Sequence, residues 1–290
     1  MSTDAQLVAA GLDAPAVQAL VRDAVAEDLA GGVDVTSTAT VPATLVGTAA
    51  FTPRQRGVLA GLPVAMAVLD LAVPDVSHEV RAADGERVAP GQVVLVSTGP
   101  VRQLLTAERT ALNLLCHLSG IATATRAWVD AVAGTGAHVR DTRKTTPGLR
   151  ALEKYAVRCG GGVNHRMSLS DAALVKDNHV VAAGGVRAAF EAVRTQYPGL
   201  AVEVECDTVE QVREVLAAGA DLVLLDNMDL ADTRVAVALC RTAGVLTEAS
   251  GGLTLARAYE VAATGVDFLA VGALTHSAPV LDLGMDLTCS

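Results

Sequence analysis

The arrangement of hydrophobic positions changes about halfway along the chain. In the first half, residues 15–29 carry apolar side chains at helical spacing after Asp13, a residue type that caps helices, so an amphipathic helix is predicted there. The segments 46–60 and 76–97 contain short apolar runs separated by turn sequences, which is typical of strands. This half therefore predicts helices packed on a mostly antiparallel sheet.

Two further segments complete the prediction for the first half. Residues 31–42, GGVDVTSTATVP, are interpreted as a loop because small and polar residues dominate them. Residues 101–133 have a helical pattern, and Ser119 and Gly120 are predicted to break that helix.

From about Gly136 onwards, short apolar runs that end in polar residues alternate with helix-like segments. Strand–helix alternation implies parallel strands. A β/α barrel with fewer than the usual eight strands accommodates them, and an open doubly wound sheet is the alternative. The predicted strand segments are 138–145, 172–179, 201–208, 220–228, 245–252 and 266–274, with a less regular segment at 159–171.

Composition argues against several classes of protein. The chain has 290 residues, a formal net charge of −10 and 2% aromatic residues, which argues against nucleic-acid binding. Its five cysteines include no CxxC pair, so we expect reduced thiols and no zinc site or disulfide framework. The N-terminus lacks a basic signal-peptide region, and no apolar run has the length of a membrane span. We therefore expect a cytoplasmic protein that does not bind membranes.

Charged residues and glycines follow nearly every predicted strand of the second half. In a β/α barrel these positions meet at one end, where the active site lies. The early strand ends are cationic, the middle ones acidic and the late ones glycine-rich, which predicts sites for a carboxylate, for hydroxyls or Mg²⁺, and for a phosphate. These residues are Thr142, Arg143, Lys144, His165, Arg166, Lys176, Glu205, Asp226, Ser250, Gly251, Gly252 and Gly272; Asp177, Asn178, Asn227 and Glu248 stand beside them at the same strand ends.

Lysine is confined to one stretch of the chain. Only three of the 22 basic residues are lysines, and all lie between Lys144 and Lys176. An ammonium is a compact point charge that suits contact with phosphate or carboxylate. Structural interpretations stay open for single residues: His165 as a buried structural histidine, and Glu205 and Asp226 as partners in ion pairs.

The motifs resemble those of one known family. DTRKTTPGLR (141–150) and EKYAVRCGGGVNHRMSLSDAALVKDNH (153–179) are similar to quinolinate phosphoribosyltransferases. DVTS at 34–37 resembles the N-terminal signature of that family. The resemblance extends over essentially the whole chain and includes residues 107–123, 202–208, 224–228, 248–252 and 267–286.

The resemblance implies a fold, a reaction and an assembly. The fold is α/β, with an N-terminal α/β sandwich domain at 1–115, to which the tail at 276–290 returns, and an incomplete β/α barrel at 116–275. The reaction transfers phosphoribosyl from 5-phosphoribosyl-1-diphosphate to quinolinate with loss of CO₂ and uses Mg²⁺. It gives nicotinate mononucleotide and diphosphate in de novo NAD biosynthesis. The assembly is a homodimer with an active site shared between subunits.

The resemblance also implies a role for each site residue. Lys144, Glu205 and Asp226 are the expected catalytic residues, and the two carboxylates hold ribose hydroxyls and Mg²⁺, directly or through water. The residues expected around the quinolinate carboxylates are Arg109 of the partner subunit, Thr142, Arg143, His165, Arg166 and Lys176. Those expected around the 5′-phosphate are Ser250, Gly251, Gly252, Gly272 and Ala273.

Three other functions stay open at this point. A related phosphoribosyltransferase could take nicotinate as acceptor, although a single carboxylate needs fewer cations than this chain offers. Lys176 could be the Schiff-base lysine of an aldolase-like barrel. A barrel that binds phosphate without catalysis would bind its ligand but show no turnover.

Overall fold

A computed structural model describes residues 1–289 of the chain. Its helices are α1 (Thr3–Ala9), α2 (Ala14–Leu29), α3 (Val35–Thr40), α4 (Leu62–Ala72), α5 (Val101–Ala131), α6 (Arg150–Cys159), α7 (Asp177–Ala183), α8 (Val186–Gln196), α9 (Val209–Ala217), α10 (Leu230–Ala243), α11 (Ala258–Ala262) and α12 (Ala273–His276), with a 3₁₀ turn at Leu255–Arg257. Its strands are β1 (Val46–Pro53), β2 (Gly57–Val58), β3 (Ser77–Val80), β4 (Arg87–Val88), β5 (Leu95–Pro100), β6 (His138–Arg140), β7 (Ala173–Val175), β8 (Val202–Cys206), β9 (Leu222–Asp226), β10 (Leu246–Ser250), β11 (Phe268–Ala270) and β12 (Leu283–Cys289).

The chain forms two compact units. The first comprises residues 1–126, 146–161 and the C-terminal segment from Ser277, and the second comprises residues 127–145 and 162–276. The expected domain limit near Leu115 lies inside α5, and the limits of the domains stay a prediction. Among residues 1–289, no helix combines the length and the apolar character that crossing a membrane requires.

The first unit contains an antiparallel sheet with the strand order β12-β1-β5-β3. Along β1, Gly47, Ala49 and Phe51 are buried and alternate with partly exposed residues, as expected for a sheet with one face on a core. The prediction of a mostly antiparallel sheet is therefore confirmed. At the end of the predicted segment 46–60, only Gly57–Val58 forms a strand, and the apolar residues after it belong to α4, which begins at Leu62 and is buried along most of its length.

Helix α5 continues through Ser119 and Gly120, so the predicted break is wrong. The Ser119 hydroxyl accepts from the Ala60 N–H at 3.0 Å and lies 3.1 Å from the Ala60 carbonyl oxygen, to which it donates. Gly120 approaches the backbone of residues 279–281 so closely that a Cβ would overlap the carbonyl oxygen of Pro279. Both residues serve tight packing inside the first unit, and this packing outweighs their low helix propensity.

Gly120→Ala is expected to lower the free energy of unfolding by about 2 kcal/mol, because the added methyl group meets backbone atoms that cannot move aside cheaply. Thermal or urea unfolding measures the loss. Gly32→Ala is the matched control, since a Cβ there meets only the Leu29 carbonyl oxygen, at 3.4 Å. Equal stability of the two variants would contradict the close approach at Gly120.

The segment 31–42 is not entirely a loop, because Val35–Thr40 forms α3. The Asp34 carboxylate caps this helix by accepting from the Ser37 N–H at 2.9 Å. It also accepts from the Thr106 hydroxyl at 3.2 Å. Hydrogen bonds from Ser37 lower the pKa of Asp34. The DVTS sequence is thus a helix start, a signal that the loop interpretation missed.

The second unit contains a six-stranded parallel sheet in the order β6-β11-β10-β9-β8-β7. From β7 to β11 each strand pairs with the next along the chain, and β11 pairs with β6, which precedes them all. This cyclic order is that of a β/α barrel opened between β6 and β7, and it lacks the reversal of a doubly wound sheet. The prediction of an incomplete barrel with fewer than eight strands is confirmed.

The irregular segment 159–171 contributes no full strand to this barrel. Val163 alone forms a parallel bridge with Arg140. Its N–H donates to the Val139 carbonyl at 2.8 Å, and its own carbonyl accepts from the Asp141 N–H at 3.2 Å. The residues that follow Val163 are therefore tied to the open edge of β6.

Alternation along the strands decides which side chains face the barrel interior. On β8, Val202, Val204 and Cys206 share one face, and Glu203 and Glu205 share the other. Helices α8 and α9 contact β8, and the apolar face packs against them. The two glutamates therefore point into the barrel, with Glu205 nearer the carboxyl end of the strand.

Candidate active site

A cavity of about 510 Å³ lies at the carboxyl ends of the barrel strands, where active sites of such barrels occur. Nine of the predicted site residues line it: Thr142, Arg143, Lys144, His165, Arg166, Lys176, Glu205, Asp226 and Ser250. The remaining lining residues are Leu174, Asp177, Leu224, Glu248 and Ala270.

Arg143 and Arg166 supply partly buried positive charge to the cavity wall. The Nε atom of each is buried and has no hydrogen-bond partner among residues 1–289. Arg166 is held through Nη1, which donates to the Ala172 carbonyl oxygen at 2.8 Å. Burial lowers the pKa of Arg166, and the charge of Arg143 lowers it further. Two neighbouring cations with unpaired buried Nε atoms attract an anion, so this part of the cavity is suited to a negatively charged ligand.

The backbone of Lys144 is fixed on both sides. Its N–H donates to the Thr142 hydroxyl at 3.0 Å, and its carbonyl accepts from the Thr275 hydroxyl at 2.7 Å. A Cβ at Gly272 would lie 2.9 Å from Cδ of Lys144. Glycine at position 272 therefore leaves the space that the Lys144 side chain occupies.

Acidic side chains gather at the ends of β8 and β9. Carboxylate oxygens of Glu205, Asp207 and Asp226 lie within 4.8 Å of one another. Burial raises the pKa of Glu205, and Lys176, whose Nζ is 3.9 Å from Glu205 Oε2, opposes that rise. Mg²⁺ prefers oxygen ligands, so this set of carboxylates fits Mg²⁺, with Asp207 added to the predicted pair.

The end of β10 turns sharply at two glycines. Gly251 and Gly252 have φ angles of +89° and +56°, in the left-handed region that favours glycine. The Ser250 carbonyl accepts from the Asn227 N–H at 3.1 Å, and a Cβ at Gly251 would overlap the Asn227 side chain. The turn leaves Ser250 on the cavity wall and Gly251 pressed against the end of β9.

A buried polar layer fills the barrel beside the cavity. His165 Nε2 is 2.8 Å from Glu203 Oε2 and 3.6 Å from Glu248 Oε1. Arg140 Nη1 donates to Glu248 Oε2 at 2.6 Å. Burial raises the pKa of Glu248 to about 8, with Glu203 adding to the rise and Arg140 opposing it. His165 Nδ1 accepts from the Arg166 N–H at 2.8 Å, so both ring nitrogens have partners within the protein.

Five of the predicted site residues do not line this cavity. Arg109 belongs to the first unit and lines a different cavity, of about 290 Å³, with Asp28 and Asn113. The other four lie on turns that follow β10 and β11: Gly251, Gly252, Gly272 and Ala273.

Sequence reasoning did not name Asp207 or Glu203, and it named Glu248 only as a strand-end residue without a role. Asp207 directly follows β8, so the rule that strand ends carry the chemistry could have found it. Glu203 precedes Glu205 by two residues and shares its face, and Glu248 precedes Ser250 in the same way. The alternation of side chains along each strand was the available signal.

Comparisons with known proteins point to one family. Residues 34–119 match the family described as quinolinate phosphoribosyl transferase, N-terminal domain, and residues 121–286 match its C-terminal domain. The chain is 55% identical over 271 residues to the nicotinate-nucleotide pyrophosphorylase (carboxylating) of Mycobacterium leprae, covering 92% of this chain and 95% of that protein. A crystal structure of NadC from Streptococcus pyogenes has a TM-score of 0.92 and 39% identity, covering 96% of this chain and 99% of that one. On this agreement of fold, site and sequence, the chain belongs to the quinolinate phosphoribosyl transferase family.

Proposed function

We propose that this protein transfers the phosphoribosyl group of 5-phosphoribosyl-1-diphosphate to quinolinate, releasing diphosphate and CO₂ and forming nicotinate mononucleotide for NAD biosynthesis. The observation that carries the proposal is a pair of buried guanidinium Nε atoms, those of Arg143 and Arg166, which have no partner within residues 1–289 and line one cavity with two lysines. Quinolinate has two adjacent carboxylates, and a guanidinium suits each of them. Family membership supports the same reaction.

The cavity also offers a surface for the pyridine ring. Leu174, Leu224 and Ala270 line it together with the charged residues. Ligand cavities usually combine apolar walls with a few polar groups that fix the orientation of the ligand. The ring would rest on these three side chains while Arg143 and Arg166 hold its carboxylates.

The second substrate is assigned to the other residues of the cavity. Glu205 and Asp226 would hold the ribose hydroxyls, and Lys144 would face the diphosphate. The same two carboxylates, with Asp207 nearby, would hold Mg²⁺, which when bound supplies positive charge to the diphosphate. The turns at Ser250, Gly251 and Gly252 and at Gly272 and Ala273 would offer backbone N–H groups to the 5′-phosphate.

The chemistry requires no nucleophile from the protein. The lone pair of the pyridine nitrogen forms a bond to the anomeric carbon while the bond to diphosphate breaks and its electrons leave with the diphosphate. Lys144 stabilises negative charge on the leaving oxygen, and Glu205 and Asp226 stabilise positive charge on the ribose. The pyridinium then accepts the electron pair of the bond to the adjacent carboxylate, CO₂ departs, and the ring carbon takes a proton from water.

The alternatives fit this cavity less well. Nicotinate has one carboxylate and would leave one of the two guanidinium groups without an anionic partner from the ligand. A Schiff-base lysine attacks a carbonyl carbon with its amine, whereas the Lys176 Nζ is 3.9 Å from Glu205 Oε2 and forms an ion pair with it. A barrel without catalytic activity would not need Lys144 and the carboxylates of Glu205 and Asp226 in one cavity.

Product formation tests the proposal directly. Purified protein would be incubated with 5-phosphoribosyl-1-diphosphate, Mg²⁺ and either quinolinate or nicotinate, and products separated by chromatography. Nicotinate mononucleotide from quinolinate and none from nicotinate is the expected result. Turnover of nicotinate alone would show that nicotinate, and not quinolinate, is the acceptor substrate. No turnover of either compound would refute the proposal.

We also propose a cytoplasmic homodimer in which Arg109 of the partner subunit completes the site. The family resemblance supports the dimer, and five free thiols fit a reducing compartment. Mixing inactive Arg109→Ala and Lys144→Ala subunits is expected to restore about a quarter of wild-type activity, because half of the dimers would be mixed and one site in each would be intact. No recovery after verified subunit exchange would contradict a shared site.

A further inference from the structure

Glu203 lies outside the cavity assigned to the substrates. Its side chain is 4% exposed and lines a neighbouring cavity of about 330 Å³ together with Arg140 and Asn164. Its Oε2 is 2.8 Å from Nε2 of His165, and His165 lines both cavities. Glu203 can therefore affect the substrate cavity through its contact with His165, and its charge also acts on Arg166.

The hydrogen bonds of His165 define where its proton lies. Nδ1 accepts the Arg166 N–H at 2.8 Å and so carries no hydrogen. The hydrogen of the neutral ring is then on Nε2, which donates to Glu203. His165, Glu203 and Glu248 have the composition of a metal site, with ligand atoms within 4.8 Å of one another, but a metal ion on Nε2 would move the ring hydrogen to Nδ1, where it would oppose the Arg166 N–H. Within this cluster, His165 and Glu203 therefore form a hydrogen-bonded pair.

The segment that carries Arg166 is anchored from two directions. Asp141, which is fully buried, accepts from the His165 N–H at 2.8 Å and from Asn164 Nδ2 at 2.5 Å. The next N–H along the chain, that of Arg166, is bound by the His165 ring. The direction of the backbone at Arg166 thus depends on the orientation of that ring, and the ring is held on its other side by Glu203.

We propose that Glu203 is a positioning residue: through the His165 ring it fixes the backbone of Arg166 and so aims the Arg166 guanidinium into the substrate cavity. The expected effect of Glu203 on the KM for quinolinate rests on the proposed function, whereas the effect of Glu203 on the His165 ring does not. What matters is the capacity of Glu203 to accept a hydrogen bond, because His165 Nε2 is a donor. Glu248 plays a different part, since its 3.6 Å separation from Nε2 is too long for a hydrogen bond.

Two substitutions at position 203 separate these properties. Glu203→Leu removes the acceptor and is expected to raise the KM for quinolinate about tenfold, with KM for 5-phosphoribosyl-1-diphosphate changed less than about twofold. Glu203→Gln keeps an acceptor oxygen without the charge, and its KM for quinolinate should stay within about threefold of the wild-type value. An equal loss in both variants would assign the effect to charge and overturn the proposal.

The ring of His165 provides a readout that does not depend on turnover. In the ¹⁵N NMR spectrum of the wild type, with His165 assigned by comparison with His165→Gln, we expect a protonated Nε2 and an unprotonated Nδ1. This pattern should persist in Glu203→Gln and change in Glu203→Leu, while thermal unfolding verifies that both variants are folded. A wild-type ring protonated on Nδ1, or an unchanged pattern in folded Glu203→Leu, would refute the positioning role. Absence of quinolinate turnover with the expected NMR pattern would refute only the proposed function.

Discussion

Lys144→Ala is expected to lower kcat by about 10²-fold, with little change in the KM for quinolinate, because the ammonium acts on charge that develops as the diphosphate leaves. Its backbone is held by Thr142 and Thr275, so truncation of the side chain should leave the surrounding structure in place. Steady-state kinetics with each substrate varied in turn measures the two effects separately. A raised KM for quinolinate with unchanged kcat would contradict the role given to Lys144.

Two other variants sharpen this experiment. Lys144→Gln keeps most of the length of the side chain but not its charge, and it should lose about as much activity as Lys144→Ala. Gly272→Ala leaves the lysine in place but puts a methyl group 2.9 Å from its Cδ. The displaced ammonium should lower kcat in this variant too, by less than its removal does. Full activity of Lys144→Gln would show that charge at this position is unimportant.

Arg143→Ala and Arg166→Ala are each expected to raise the KM for quinolinate by about 10²-fold, because a charge-assisted contact with a carboxylate is lost. The guanidinium groups are assigned to binding, so kcat at saturating quinolinate should fall much less. The KM for 5-phosphoribosyl-1-diphosphate should also stay close to its wild-type value. Initial rates over a wide range of quinolinate concentration measure this difference.

The matched control for the two arginines is Arg187→Ala. Arg187 lies on α8 with about half of its side chain exposed, and its Nε is 2.7 Å from Glu191 one helical turn away. Such a surface pair contributes little to stability. The control should therefore bind quinolinate normally. If Arg143→Ala and Arg166→Ala lost kcat instead of affinity, the assignment of the carboxylate site would be wrong.

The barrel unit was largely predictable from the sequence. Its strands are short apolar runs that each end in a polar residue, and a parallel sheet buried on both faces produces that pattern. Six of the seven predicted segments form strands, and the ends of those strands meet around one cavity. The exception is the segment 159–171, in which Val163 forms an isolated bridge with Arg140 of β6 and no strand follows.

The first unit was less predictable, because partners distant in the sequence decide its local structure. Ser119 and Gly120 have low helix propensity, yet α5 passes through them because Ala60 and residues 279–281 pack closely against them. Asp34 initiates α3 in a segment whose composition is typical of a loop. Propensity describes an isolated segment, and tertiary packing overrides it in these places.

The cavity shows the same contrast between features that a local sequence pattern predicts and features that depend on distant partners. The arginines, lysines and outer carboxylates were predictable because strand ends converge in a β/α barrel. Glu203, Glu248 and Arg140 form a layer beneath the cavity. Each of them precedes a predicted site residue of its own predicted strand segment by two positions. Each of these residues depends on a partner from another strand, so no local pattern shows that the three are connected.

The most direct test of the proposed reaction is its stoichiometry with quinolinate labelled by ¹³C in the carboxylate beside the ring nitrogen. The protein, Mg²⁺ and 5-phosphoribosyl-1-diphosphate should convert it to nicotinate mononucleotide without label, with one labelled CO₂ and one diphosphate for each nucleotide formed. Label retained in the nucleotide, or nucleotide formed without CO₂, would contradict the account of a site that binds the diacid and removes this carboxylate.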